Sequence, residues 1–236
     1  LWSAVCCCLF CELCEVCLFK RLSLFLIPLV HCDNRQACSM SDAAGALKYF
    51  MMVGKLKDIR RTGWVLRGVP DPERIAGHMY RMAIMAMMLG NSPDAGIDKD
   101  KCVKMALVHD MAECVVGDIT PTCGVSLEEK FKREASAMQD LGHLVDSVTE
   151  TEFTGLWQEY EAQETPESQA VKDLDKFDMI LQAHEYEVRM EDPGKLQEFF
   201  DSTNGKLSHP KVVQWVEELY KLRSDHISAA ENGDHR

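Results

Sequence analysis

An all-α fold follows from three features of the sequence. Apolar residues recur at three- and four-residue spacing in nearly every segment after Met40, clusters of Gly and Pro separate those segments, and almost nothing alternates with the period of a strand. Only Trp64-Val65-Leu66 and Cys114-Val115-Val116 hint at strand, and neither has a pairing partner.

Taken in order, Leu47, Phe50, Met51 and Val53, continuing through Gly54 to Leu56, give a first amphipathic helix. A loop with Gly63, Gly68, Pro70 and Pro72 follows. Glu73–Leu89 is a long apolar helix with His78 inside it, stopped by Gly90-Asn91-Ser92-Pro93. Asp98 is expected to cap the next helix, which carries His109-Asp110 and runs to Val115. Gly117-Asp118-Ile119-Thr120-Pro121 breaks it. Further helices are expected over Leu127–Leu141, Glu150–Gln163, Glu167–Met190, Gly194–Phe200 and Pro210–Ala230. No internal repeat is visible.

The first 39 of the 236 residues differ in kind. Eight of the eleven cysteines lie there, and none has a histidine at metal-knuckle spacing. Val5–Phe19 carries Glu12 and Glu15, and Leu22–Val30 is short and broken by Pro28, so neither reaches the roughly 18 uncharged residues of a membrane span. A secretory signal needs a basic start, an apolar core and a small-residue cleavage site, an order not met here. Met40-Ser-Asp-Ala-Ala reads as an ordinary cytosolic start. Residues 1–39 are therefore expected to be a non-native, disordered or targeting segment, residues 40–230 one domain, and residues 231–236 a disordered tail. The roughly 190 remaining residues suffice for one substantial core. Their three scattered cysteines, Cys102, Cys114 and Cys123, indicate a reduced, cytoplasmic protein with no membrane partner.

Charge narrows the partners. With 38 Asp and Glu against 26 Lys and Arg, the net is −12, and no basic face for a nucleic-acid polymer can be assembled. A small anionic substrate stays compatible if charge is neutralised locally.

Chemistry concentrates in His109-Asp110-Met-Ala-Glu113. Adjacent residues differ by about 100° around a helix, so His109 and Asp110 bracket one surface, and Glu113 shares it at the three- and four-residue spacing. A His-Asp dipeptide alone is more often a solvated face or a core ion pair. His78, mid-helix among apolar residues, is taken singly more often a satisfied core histidine. A further carboxylate comes from Val171-Lys-Asp-Leu-Asp175-Lys-Phe-Asp178, where periodicity does not separate Asp175 from Asp178. Two imidazoles and two carboxylates suit Mn, Fe, Co, Ni or Zn with open positions.

The order His78, His109-Asp110, Asp175 resembles the H…HD…D layout of the HD phosphohydrolase superfamily. Arg61-Thr-Gly-Trp64, His78-Met-Tyr-Arg-Met-Ala83, Ala106-Leu-Val-His-Asp-Met-Ala-Glu113, Gly117-Asp-Ile-Thr-Pro121 and Val171-Lys-Asp-Leu-Asp175 are similar to its 5′-deoxynucleotidase family, from Ala43 to Ala230. The resemblance implies an HD-domain helical bundle and a homodimer. It implies a divalent ion (Mn, Co or Mg) and a small deoxynucleoside monophosphate hydrolysed to deoxynucleoside and phosphate. By the same matching, His78, His109, Asp110 and Asp175 are ligands of the ion, and Glu113 does acid–base work. Glu113, Asp118 and the Ile119 carbonyl hold a second ion. Arg61 takes the phosphate, Trp64 the deoxyribose, and Asp118 also faces substrate. The sequence departs from the family at Ala76-Gly77, where an acidic residue usually precedes the histidine. That departure is expected to remove a group that orients His78. Cyclic nucleotides or nucleoside polyphosphates are the alternative substrates, and a catalytically weak metal-binding scaffold is the alternative role.

Overall fold

The computed structural model describes residues 40–90 and 96–233. The expectation for residues 1–39 lies outside them, as do the last three residues of the tail, whereas 231–233, expected to be disordered, continue the last helix. Ten helices occur among the described residues: α1 Met40–Val53, α2 Thr62–Leu66, α3 Ile75–Met88, α4 Lys99–Val108, α5 Glu113–Val116, α6 Leu127–Gly142, α7 Ser147–Ala162, α8 Pro166–Met190, α9 Gln197–Thr203 and α10 Pro210–Gly233. A single 3₁₀ turn, Gly54–Lys57, extends α1, and another covers Pro121–Cys123. Among the described residues there is no strand, only an isolated antiparallel bridge from Arg60 to Arg74. None of their helices is long and apolar enough to cross a membrane.

Local chemistry sets the boundaries. The Asp98 carboxylate accepts from the amides of Asp100 and Lys101, satisfying donors that the first turn of α4 leaves free. Ser126 caps α6 and Asp146 caps α7 in the same way. Thr165 and Ser168 cap each other reciprocally ahead of α8, whose first residue is Pro166. Gly117, at φ +77°, ends α5 in a conformation that a side chain disfavours.

Two expectations are corrected. Trp64-Val65-Leu66 and Cys114-Val115-Val116 are helical, in α2 and α5. Three apolar residues in a row carry no periodicity, and a single helical turn accommodates them, with Trp64 buried while Val65 and Leu66 face out. The helix carrying His109-Asp110 also does not run to Val115: α4 stops at Val108. Beyond it the amides of Met111, Glu113 and Cys114 bond to Val108, Asp110 and Met111, three residues back rather than four. The turns tighten, and His109 and Asp110 sit at the break.

The core runs along α3, α4 and α8. Cys102, Met105 and Ala106 of α4 are fully buried between Met82 and Ala86 of α3 and Val171, Leu174 and Ile180 of α8. Each large side chain buried there contributes about 1.5–3 kcal/mol. The long α8 also contacts α7, α9 and α10. At its far end a buried ion pair fastens three helices. Arg223 of α10 donates from Nε and Nη2 to the two Glu187 oxygens at 2.7 and 2.9 Å, and Glu187 also accepts from the Leu196 amide at 2.8 Å. The same guanidinium bonds Gln197 at 2.7 Å and lies 3.8 Å over the Phe200 ring.

Candidate active site

Residues of α3, the α4–α5 break and α8 converge on one point. His78, on the buried face of α3, bonds through Nδ1 to Asp178 Oδ2 at 2.7 Å, and both side chains are fully buried. Asp178 accepts a second bond from Arg81. His109 bonds through Nδ1 to the Ala106 carbonyl at 3.0 Å. A carbonyl only accepts, so in its neutral form His109 carries the proton on Nδ1 and the lone pair on Nε2. A carboxylate at the Nδ1 of His78 directs that ring the same way.

Both Nε2 atoms are buried and lack a hydrogen-bond partner. The His78 Nε2 lies 3.3 Å from Asp175 Oδ1 and 3.7 Å from Asp110 Oδ2, and the His109 Nε2 lies 3.3 Å from Asp110 Oδ2. Ligand atoms of His78, His109 and Asp110 lie within 4.8 Å of one another. An unsatisfied buried polar atom costs about 1–3 kcal/mol. A divalent cation would take both lone pairs and balance the carboxylates, so this donor set fits a metal ion.

The electrostatics match a site crowded with acids. Burial pushes the Asp110 carboxyl up, but His109, Arg61 and His78 hold it below the ordinary range. Burial also opposes ionisation of Asp175, and Lys172 and His78 overcome it. Glu113 goes the other way: burial, then the charges of Asp110 and Asp118, raise it well above a normal carboxyl. Its Oε2 is buried and unpartnered.

Arg61, just before α2, is a partly buried cation, its side chain 17% exposed. Its Nη1 donates to Asp110 Oδ2 at 3.0 Å, and its Nη2 lies 3.8 Å from Asp175 Oδ1. Arg61 also lines a cleft of about 280 Å³ whose walls include Trp64, Asp118, Met179 and Phe199. At the rim, Arg67 forms a two-pronged pair with Glu198. Trp64 is 3% exposed, donates from Nε1 to Glu73 at 3.0 Å, and packs at 4.4 Å from the Phe199 ring centroid and 5.2 Å from that of Tyr186.

Asp118 serves locally. Its carboxylate accepts from the Thr62 amide at 2.5 Å and its carbonyl from the Thr62 hydroxyl at 2.8 Å, tying the loop to the first turn of α2. Ile119, next in the chain, is buried. Two clusters of three potential ligands, His78/His109/Asp110 and Glu73/His78/Asp178, occur among the described residues, and neither includes Glu113 or Asp118.

Periodicity left Asp175 and Asp178 open; the structure separates them by which nitrogen of His78 each faces. Asp178 thereby supplies the acidic partner that Ala76-Gly77 lacks. Sequence reasoning passed over Lys172 and Tyr160, which both donate to Asp175 Oδ2 at 2.9 Å. Lys172 stands three residues before Asp175, a spacing that puts the two on one helix face. Tyr160, on another helix, carried no signal.

An HD domain model matches residues 53–213. A 5′-deoxynucleotidase HDDC2 of Homo sapiens is 49% identical over 82% of this chain and 93% of its own. The 5′-deoxynucleotidase hdd1 of Schizosaccharomyces pombe is 44% identical over 72% and 86%. Among solved structures, the PH0347 protein of Pyrococcus horikoshii OT3 superposes with a TM-score of 0.61 at 31% identity, covering 75% of this chain and 98% of that one. A paired-histidine, paired-carboxylate centre on an all-helical scaffold, matched by such relatives along most of its folded length, makes this chain a member of the HD domain family.

Proposed function

We propose that this protein is a metal-dependent 5′-deoxynucleotidase, hydrolysing deoxyribonucleoside 5′-monophosphates to deoxynucleoside and phosphate. Arg61 is the observation that carries the reading, because it belongs both to the carboxylates of the metal centre and to the wall of an aromatic cleft. A phosphate bound against Arg61 sits beside the centre while the sugar and base extend into the cleft. The names of the relatives point to the same reaction.

In this reading His78, His109, Asp110 and Asp175 hold the ion, with Mn, Co or Mg the candidates. A divalent ion supplies positive charge against the phosphoryl oxygens and an acidified water. Arg61 offsets charge developing on the phosphate. Glu113, buried next to Asp110, moves the proton between the attacking water and the leaving 5′-oxygen as the phosphorus–oxygen bond breaks. Trp64 walls the sugar, and Asp118 braces Arg61 and Trp64 through Thr62. Asp118, Glu113 and the Ile119 carbonyl are the groups available to a second ion. A cytoplasmic homodimer acting on a small molecule completes the proposal.

Phosphate release from matched deoxy- and ribonucleoside monophosphates, with Mn, Co or Mg added, tests it. Faster release from the deoxy member of each pair, abolished by His109→Ala or Asp110→Ala, is expected. Absence of release from every nucleotide at saturating metal would overturn the assignment.

A further inference from the structure

Asp175 has two carboxylate oxygens, and its neighbours treat them differently. Oδ1 faces the centre, 3.3 Å from the His78 Nε2. Oδ2 points away and accepts two hydrogen bonds, one from the Tyr160 hydroxyl and one from the Lys172 ammonium, both at 2.9 Å. Lys172 also donates to the Tyr160 oxygen at 3.0 Å. The three groups therefore close a ring in which each polar atom is engaged. Tyr160 is 4% exposed, and its ring centroid lies 4.9 Å from that of His109 and 5.1 Å from the Lys172 ammonium. It has no room to swing.

A carboxylate oxygen offers about two good acceptor directions, and both at Oδ2 are taken. Rotating Asp175 to present both oxygens to a cation would break a charge-assisted bond to Lys172 and a buried bond to Tyr160. We propose that Lys172 and Tyr160 are positioning residues that make Asp175 a one-oxygen ligand, so that a coordination position stays open for substrate or water. The inference rests on the reading of Asp175 as a ligand. It adds why the carboxylate does not close over the ion, and it assigns tasks to two residues that do not touch substrate.

The arrangement also explains why a cation is tolerated so near a metal centre. Lys172 is held by Asp175 Oδ2 and Tyr160, on the far side of the carboxylate from the histidine nitrogens. Its charge steadies the oxygen that the ion does not use.

The test uses the full chain loaded with Co²⁺, read by chelator competition for affinity and by visible absorption for coordination number. Cobalt bands weaken when a further donor enters the coordination sphere. Tyr160→Phe, which removes one oxygen and keeps the ring, should weaken Co²⁺ binding about tenfold, the lower end of the effect of removing a ligand's hydrogen-bond partner. Its visible bands should fall in intensity. Lys172→Met should do the same, and Lys172→Arg should restore much of both. Because the two residues serve one oxygen, the double variant should lose less than the sum of the single losses. Parental affinity and spectrum in both single variants would overturn the proposal, as would strictly additive losses. Asp175→Asn separates the two layers: parental Co²⁺ binding in that variant would refute Asp175 as a ligand, whereas loss there with unchanged Tyr160→Phe and Lys172→Met would refute only the clamp.

Discussion

Glu113 and Trp64 show how far one side chain's surroundings constrain its use. Glu113 is buried with one oxygen unpartnered, beside a carboxylate held ionised. If it moves the proton, Glu113→Gln should leave nucleotide binding near the parent value and lower kcat by about 10²- to 10⁴-fold. Steady-state kinetics with unchanged kcat would remove it from the chemistry, and recovery at high metal concentration would make it an ion ligand instead. Trp64 needs a gentler probe, because three groups depend on its indole. Trp64→Ala should cost about 3–5 kcal/mol of stability by leaving a cavity under Tyr186 and Phe199. Trp64→Phe keeps most of the packing but shortens the wall. It should narrow the dAMP-to-AMP ratio of kcat/KM by sparing the ribonucleotide, by no more than the roughly 1–3 kcal/mol that an apolar wall can impose on one hydroxyl. Equal losses for both substrates would assign Trp64 to the fold.

Among the elements, α3 carries a local cost that nothing around it requires. Gly77 is exposed, and a Cβ built on it meets nothing within 4 Å. Gly77→Ala should therefore raise stability by about 0.5–1 kcal/mol, measured by denaturant midpoint, without changing the orientation of His78. In α6, Glu134 is nearly buried with Lys130 at 3.5 Å, and burial raises its carboxyl to about 7 against the pull of Lys130. A folded-state value above the unfolded one means that ionising Glu134 opposes folding. The cost is absent below about pH 4.5 and grows until pH passes 7. Glu134→Gln should thus be more stable than the parent above pH 7, on the order of 2–3 kcal/mol at most, with the gain vanishing near pH 4. A pH-independent difference would contradict the shift. Sequence periodicity located α3, α6, α7, α8 and α10 to within a few residues, because their apolar faces repeat over several turns. It missed the break at Val108 and the helicity of α2, where one turn is too short to hold a period. The same limit applies at the centre. His78, His109 and Asp110 stand out by residue type, but which carboxylate of α8 faces which nitrogen depends on helix packing 97 positions from His78, and the Tyr160 contact depends on α7.

At the scale of the molecule, the centre draws its residues from α3, the α4–α5 break and α8, so it exists only when the bundle is assembled. The family match ends at Val213, four residues into α10. The buried pair between Glu187 and Arg223 sets a different limit. A chain ending at Val213 would lose the guanidinium that neutralises Glu187 together with most of the α10 face that packs on α8. Val216 and Leu219, both buried, would go with it, and burying a large apolar side chain contributes about 1.5–3 kcal/mol against the roughly 5–15 kcal/mol that holds a domain together. Gln197 and Phe200 would lose the same partner, loosening the helix that carries Phe199 into the cleft wall. The smallest unit that folds and keeps its cleft therefore ends beyond Arg223, and truncation at Val213 should yield a protein with a markedly lowered melting midpoint, whereas trimming after Arg223 should be tolerated.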